Sequence, residues 1–344
     1  MKRLSVIIPM YNVEPYVERC LRSLLDQDLH MDEYEIICIN DGSPDNSREV
    51  VIALQEDSTN IKLIDQENKG VSMARNIGIE NAAGKYLLMV DPDDYLEPNS
   101  LKDKLDIMDQ EELEIGITGY VILNEAMERE YVYDPKYNTS EVITGAEYFD
   151  KHQKGNSEIR DPHRSVAIFF QTDFYMSNGL LYLSDVPYLE DEELMTRAMC
   201  LANRVSFLNH PLYLRTTRPG SATHSKLLYT EKAKNGFLKA AKNLAEFKIL
   251  NCNTDEQKGV VNQSIIHFTI LCITPLGLVD YIRNYKSLHT SIKKGPLKKL
   301  DYTGCSNWYI MSAKFYNFSM NVFYLKWMIH KINKSIKIRI KRLF

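Results

Sequence analysis

The sequence has no CxxC pair and no histidine cluster at zinc-ligand spacing. Its six cysteines lie scattered at positions 20, 38, 200, 252, 272 and 305. That pattern argues against a disulfide framework and suits a reducing compartment. Cys20 and Cys38 stand among apolar residues and read as small core hydrophobes. No GxGxxG follows the first apolar run, so the dinucleotide fingerprint is missing. The segment Gly78–Tyr86, GIENAAGKY, imitates a phosphate loop. Five residues separate its glycines where the Walker pattern needs four, and Tyr86 stands where a Ser or Thr would hold magnesium. Neither HExxH nor GxSxG occurs. Long apolar runs are lacking too. The run in MKRLSVIIPMYN stops after five or six residues, too short for a signal-peptide core. Ser264 to Tyr281 is broken by His267, Thr269, Thr274, Pro275 and Asp280, which suits a buried helix better than a membrane span.

What is present is enough chain, 344 residues, for one large domain with an appendage or for two. The net charge is −4, but from Tyr281 to Phe344 there are fourteen Lys/Arg and one acid, Asp301, so this tail is +13 and the first 280 residues are −17. The first hundred residues alternate β-rich runs with helical spacing. Leu4–Ile8, Glu35–Ile39, Ile61–Asp65 and Tyr86–Val90 read as strands. Val13–Leu25, Asp45–Gln55 (Asp45 or Ser47 as N-cap) and Val71–Ala82 read as helices, and Leu96–Met108 as another. This rhythm predicts an α/β fold, a mostly parallel Rossmann-like sheet flanked by helices. The middle, from Glu112 to about Ser221, is mixed, with candidate strands at Ile115–Leu123 and Val166–Phe170 and a polar surface loop at Lys151–Arg164. Beyond Thr230 the chain is helical.

In parallel sheets chemistry gathers at the carboxyl edge of the strands. Three polar clusters fall there: Pro9–Asn12, Asn40–Ser43 and Asp91-Pro92-Asp93-Asp94. Residues i and i+2 of an extended segment point the same way, so Asp91 and Asp93 can face one site. Two such carboxylates repel unless a cation lies between them or one is protonated. Mg²⁺ or Mn²⁺, also bound to phosphate oxygens, satisfies the pair. The alternative is a turn whose aspartates cap the next helix, a role that suits Asp94.

Four segments in order, SVIIPMYNVEPYVERCLRSLLDQ, EIICINDGSPDNS, NKGVSMARNIGIENAAGKYLLMVDPDD and YLEDEELMTRAMCLANRV, resemble glycosyltransferase family 2, inverting enzymes of the GT-A fold. The resemblance covers Lys2 to His224. It implies a catalytic domain over 1–225, with a nucleotide-binding half (1–110) and an acceptor half (111–225), followed by a helical, basic region over 226–344. It places Pro9, Tyr11 and Asn12 against the base and ribose of the donor. Asp41 matches the acid that hydrogen-bonds the base, as a carboxylate can with uracil; Asn40 departs from the more usual Asp. Arg75 matches a residue near base or phosphate, or else forms a surface salt bridge on its helix. Asp91 and Asp93 match the DxD, with Asp93 the direct metal ligand. Glu190-Asp191 matches the ED pair, with Asp191 as catalytic base, although four acids at a helix start also simply favour the helix dipole. Leu189 stands where many relatives have His. Arg218, in Arg218-Pro219-Gly220-Ser221, matches the stretch that closes over the donor diphosphate. His224 is either a metal or phosphate contact or a plain surface histidine.

The implied reaction moves a sugar from a nucleotide diphosphate donor, a UDP-sugar, to an acceptor hydroxyl with inversion and with Mn²⁺ or Mg²⁺ as cofactor. Many similar family members build surface polysaccharide on a lipid-linked or glycan acceptor at the cytoplasmic face. Trp308–Phe344 mixes aromatic and basic residues, which suits an anionic membrane surface or a solvated helix packed on the protein. The expected location is cytoplasmic, peripheral on the inner face of the membrane. No nucleic acid partner is expected, since no known binding module accompanies the charge. Two other functions compete. Nucleotidyl transfer would want a glycine-rich basic loop after the first strand, and IIPMYN has no glycine. A non-catalytic binding protein of the same fold would lose the DxD or the ED pair, and both are present.

Overall fold

The computed structural model describes residues 2–134, 141–154, 164–217, 230–274, 276–293 and 295–341. The chain divides into two compact units, Met1–Ser225 and Lys226–Phe344.

The first unit begins with β1 (Lys2–Met10), α1 (Glu14–Leu25), β2 (Tyr34–Asp41), α2 (Ser47–Gln55), β3 (Ile61–Gln66), α3 (Val71–Glu80) and β4 (Gly84–Met89). It continues with β5 (Tyr95–Leu96), α4 (Lys102–Gln110), β6 (Ile115–Leu123), β7 (Arg129–Tyr133), α5 (Gly145–Tyr148), β8 (Ile168–Gln171), α6 (Thr172–Ser177), α7 (Glu190–Leu201) and β9 (Val205–Thr216). One sheet runs β3-β2-β1-β4-β8-β6-β9-β5, with β7 on β6. Its first four strands are parallel, and β8 joins antiparallel between β4 and β6.

Leu4, Val6, Ile7 and Ile8 of β1 and Ile36 to Ile39 of β2 are fully buried, as strands covered on both faces should be. Pro9 does not end β1 but belongs to it. Ile7 accepts from the Val90 amide, so Pro9, two residues on, also turns its backbone toward β4. The last β1–β4 rung is Ile7–Met89, so the missing N–H of Pro9 breaks no ladder. The glycines of the false phosphate loop serve packing. A Cβ at Gly78 would lie 2.4 Å from Ile7 Cγ2, and one at Gly84 2.5 Å from the Leu4 carbonyl carbon. They bring α3 onto the sheet and β4 against β1.

Three local expectations differ. The stretch after the DxDD turn first forms β5, paired with β9, and turns helical only at Lys102. Asn46, not Asp45 or Ser47, occupies the α2 N-cap, and Asp45 instead accepts from the Ser47 amide (3.2 Å) and the Glu14 amide (2.8 Å). Most of the expected surface loop Lys151–Arg164, residues 155–163, lies outside the described residues; its described start falls in a π-helical turn, Phe149–Gln153, and its last residue is buried, Arg164 donating to the Thr118 carbonyl and stacking 4.2 Å over Tyr120.

The second unit is helical: α8 (Glu231–Asn251), α9 (Asp255–Leu271), α10 (Leu278–Lys293), a 3₁₀ turn at Gly295–Leu297, α11 (Asn307–Phe318) and α12 (Met320–Lys341). Thr230 caps α8, and Thr254 with Gln257 forms a capping box on α9. Phe237 of α8 meets Phe268 of α9 in the core, and Tyr281 of α10 stacks on Tyr324 of α12 with centroids 3.8 Å apart. Ser264 to Leu271 lies largely buried within α9, and the chain leaves the helix before Leu278. Among the described residues, no helix is long and apolar enough to cross a membrane.

Candidate active site

Strand order reverses at β1. The chain passes to β2 on one side and returns to β4 on the other, which opens a crevice beyond the carboxyl ends of β1 and β4. The loop after β1 carries Tyr11, 51% exposed, and Asn12, which adopts a left-handed backbone (φ 55°). The Asn12 amide donates to Ser43 Oγ (3.3 Å), tying this loop to the one after β2. Asn40 bridges Asp65 and the Ser43 amide. Asp41 is buried and accepts from Gln66 Nε2 (2.6 Å) and from the Lys69 and Gly70 amides (2.7 and 2.8 Å). It therefore shapes the loop that leads into α3. A carboxylate has about four lone-pair positions, and these three donors occupy three of them.

After β4 the chain makes a turn closed by the Asp94 amide on the Asp91 carbonyl (3.0 Å). Asp94 caps no helix. Its carboxylate accepts from Tyr213 Oη (2.8 Å) and the Thr216 amide (2.7 Å), both on β9. Burial, then the nearby Asp93 and Asp91, push the Asp94 carboxyl well above the usual carboxylate range. Tyr213 Oη also accepts from the Asp91 amide (3.0 Å), and the Asp93 carbonyl is held by Arg19 (2.9 Å) and Thr216 Oγ1 (2.7 Å). One acid of the DxDD is thus an anchor, and the anchored turn fixes the backbone of the other two.

Arg75 is not on the surface. It lies on the buried face of α3, under three carboxylates. Nη2 donates to Asp91 (2.9 Å), and Nη1 donates to Glu190 (3.0 Å) and Asp191 (3.1 Å). Side-chain exposure rises from 4% at Arg75 through 15% at Glu190 and 25% at Asp191 to 35% at Asp91. The guanidinium is the floor of the site, and the acids are its rim. Burial disfavours the charge on Arg75, but Asp191, Tyr182, Asp91 and Glu190 outweigh this and hold it firmly protonated. Glu190 responds the other way. Burial, then the adjacent Asp191, push its carboxyl up to about 7 against the pull of Arg75. Both acids open α7, where they favour the helix dipole, and Leu189 at the N-cap takes a left-handed backbone (φ 60°) to turn them inward.

The structure thus brings Asp91, Arg75, Glu190 and Asp191 together, with Asp93 on the same turn as Asp91. Arg218 and His224 lie outside the described residues. Among the described residues, no group of three or more His, Cys, Asp or Glu is set to hold a metal alone. Asp91 and Asp93 nevertheless offer hard carboxylate oxygens. Magnesium-like ions commonly take one or two carboxylates and complete their shell with phosphate and water, so this donor set fits Mg²⁺ or Mn²⁺ arriving with a phosphate-bearing ligand. Sequence reasoning missed Tyr213, Thr216, Arg19, Ser165 and Tyr182. Arg19 lies inside the first family-like segment but reads there as one charge on a helix; the other four sit in no recognisable motif, and each of the five acts through a partner distant in the chain.

Residues 5–174 match the family described as Glycosyl transferase family 2. A glycosyltransferase of Bacillus subtilis, EpsJ, is 32% identical over 220 residues, which cover 64% of this chain and 62% of EpsJ. The match therefore spans less than two thirds of that relative's length. GlyG, a glycosyltransferase of Streptococcus pneumoniae, is 28% identical over 227 residues, 63% of this chain and 72% of GlyG. The crystal structure of residues 1–349 of Staphylococcus aureus TarS in complex with UDP-GlcNAc aligns with a TM-score of 0.62 at 21% identity, covering 84% of this chain and 79% of that one. The shared architecture is the GT-A fold. With that fold, this match and acids at the carboxyl edge of the sheet, the segment 5–174 belongs to glycosyl transferase family 2.

Proposed function

We propose that the protein is an inverting glycosyltransferase that moves a sugar from a UDP-sugar to an acceptor hydroxyl in the assembly of a cell-surface polysaccharide. The observation that carries this is the bracketing of Arg75 by Asp91 on one side and Asp191 on the other. A single guanidinium separates an acid suited to the donor's phosphate end from an acid suited to the acceptor. TarS of S. aureus, named a poly(ribitol-phosphate) β-N-acetylglucosaminyltransferase and crystallised with UDP-GlcNAc, supports a UDP-sugar and a glycan-type acceptor.

Pro9, Tyr11 and Asn12 line the nucleoside, and Asp41 offers its remaining lone-pair position to the base. Asp91 and Asp93 hold the metal, which when bound supplies positive charge against the leaving diphosphate. Arg75 keeps the floor of the cleft cationic beneath that charge, and Arg218 and His224, outside the described residues, are the further candidates for phosphate contact. Asp191 accepts the proton of the acceptor hydroxyl as its oxygen bonds to the anomeric carbon. The bond from that carbon to the phosphate oxygen breaks on the opposite face, and its electrons leave with UDP. One base facing the leaving group across the sugar gives inversion. General-base help of this kind is worth on the order of 10²–10⁴-fold. The test is a panel of nucleotide sugars with Mn²⁺ or Mg²⁺. Release of nucleoside diphosphate supports the reading, and release of pyrophosphate would make the protein a nucleotidyltransferase.

The acceptor is proposed to be a glycan or lipid-linked saccharide met at an anionic membrane surface. In the second unit, α11 exposes Trp308, Met311 and Phe318 with Lys314, and α12 exposes Leu325 and Ile329 with Lys326 and Lys331. Apolar and cationic side chains interleaved on exposed helices suit an interfacial contact, at about 1 kcal/mol per basic residue near the lipid.

A further inference from the structure

Two hydroxyl side chains stand behind Asp191. Tyr182 Oη donates to Ser165 Oγ (2.7 Å), and Ser165 Oγ donates to Asp191 Oδ1 (2.8 Å). Ser165 is fully buried and Tyr182 is 3% exposed. A buried hydroxyl costs free energy unless it is paired, and most side-chain hydrogen bonds run to backbone or water. Thr118 takes that course, donating to the Ala167 carbonyl (2.9 Å). Tyr182 and Ser165 form a directed chain instead. Each hydroxyl has one hydrogen, so with Tyr182 as first donor the last hydrogen points at the carboxylate.

Tyr182 has a second hold on the same acid. Its ring lies 5.2 Å beneath the Arg75 guanidinium, whose Nη1 donates to the same Oδ1 of Asp191 (3.1 Å). The backbone of Tyr182 is clamped to α3 by Asn76, which donates to its carbonyl (2.9 Å) and accepts from its amide (2.8 Å). Neighbouring residues of one helix, 75 and 76, thus fix both routes to Asp191. The Ser165 amide reaches Oδ2 at the longer distance of 3.4 Å.

We propose that Ser165 and Tyr182 are positioning residues for the base: the ring of Tyr182 seats Arg75, its hydroxyl seats Ser165, and the two donors on Oδ1 of Asp191 fix how that carboxylate is presented to the acceptor hydroxyl. The inference rests on Asp191 being the base. It assigns to the segment before β8 and the segment before α7 a joint role in aligning one carboxylate, and alignment is where much of an enzyme's rate arises.

The experiment is steady-state kinetics of the full chain with the donor found in the panel, on Ser165→Ala, Tyr182→Phe and the double variant, with thermal midpoint and UDP affinity measured alongside. Ser165→Ala is expected to lower kcat by roughly ten- to a hundredfold with the donor KM and UDP affinity within about twofold. Tyr182→Phe keeps the ring under Arg75 and is expected to lower kcat less. Because it acts through Ser165, the double variant should match Ser165→Ala alone. A purely structural role predicts losses that multiply and that follow the thermal midpoint, and that result overturns the inference. Wild-type kcat in a folded Ser165→Ala overturns it too. If Ser165→Ala does not fold, a Tyr182→Phe variant with unchanged kcat overturns it. A wild-type chain that releases diphosphate from no nucleotide sugar overturns the glycosyltransferase reading itself, and this inference with it.

Discussion

Asp94 and Asp93 are neighbours in one acidic turn; the structure anchors Asp94 on β9, and Asp93 is the proposed metal ligand. Asp94→Ala should injure stability, and Asp93→Ala should injure metal-dependent chemistry. Asp94 is buried and accepts the Tyr213 hydroxyl and the Thr216 amide, both on β9. Truncation strands both donors at roughly 1–3 kcal/mol each. Loss of a carboxylate that burial and its neighbours already disfavour offsets part of this, so a net cost of about 2–4 kcal/mol is expected. For a unit of this size that corresponds to a fall of about 4–16 °C in the thermal midpoint. The same change loosens Tyr213 from the Asp91 amide, so kcat falls as well, but dependence on added Mn²⁺ should stay. The assays are thermal or urea unfolding beside diphosphate release across a Mn²⁺ titration. An Asp94→Ala protein with a wild-type midpoint and a lost metal response would show that Asp94, not Asp93, holds the ion, and the division of labour argued from β9 would be wrong.

Asp93→Ala should leave the midpoint within about 1 °C, weaken donor binding when metal is present, and match wild type in chelator; unchanged turnover of the wild type in chelator would contradict the metal role. Asp191→Asn should reduce transfer by at least 10²-fold, on the order expected for a lost general base, while calorimetry finds UDP binding nearly intact. Glu190 has a folded value near 7 against 4.5 ordinarily, so the stability it contributes is complete below 4.5 and is lost as pH rises through about 7. Glu190→Gln should therefore flatten the decline of the thermal midpoint between pH 5 and 8, and a slope identical to wild type would place the titration elsewhere. Vesicles rich in anionic lipid should sediment the full chain at low salt and release it as the Debye length shrinks from about 10 Å at 0.1 M toward 3 Å at 1 M, whereas neutral vesicles should not sediment it at all.

The parts of this molecule that sequence reasoning reaches are those whose cause is local. Leu4–Ile8 and Glu35–Ile39 stand out as strands because a stretch buried on both faces must be largely apolar; the buried exceptions, Ser5 and Glu35, satisfy each other (2.6 Å), and the strands run further than the pattern suggests, over Lys2–Met10 and Tyr34–Asp41. Leu96–Met108 misleads for the opposite reason. Leu96, Leu101, Leu105 and Met108 are all buried, yet Leu96 is held by Tyr213 across a strand pair and the other three by α4 and its cap. Apolar periodicity reports burial and says nothing about which partner provides it. The acids of the site were visible for a similar reason: like charges crowded into a turn or a helix start need an explanation, and a cation, a guanidinium or a dipole supplies one. What they could not announce is which acid does what. Asp94 becomes an anchor because a tyrosine 119 residues further along the chain reaches it, and Asp191 gains a directed hydrogen bond because a serine 26 residues earlier lies behind it. A serine or tyrosine in a buried segment carries no charge that needs balancing, so its sequence position raises no question. Only the fold shows that its hydrogen ends on a carboxylate at the rim of a cleft rather than on a carbonyl, and that difference of acceptor separates a packing residue from one able to govern the orientation of a base.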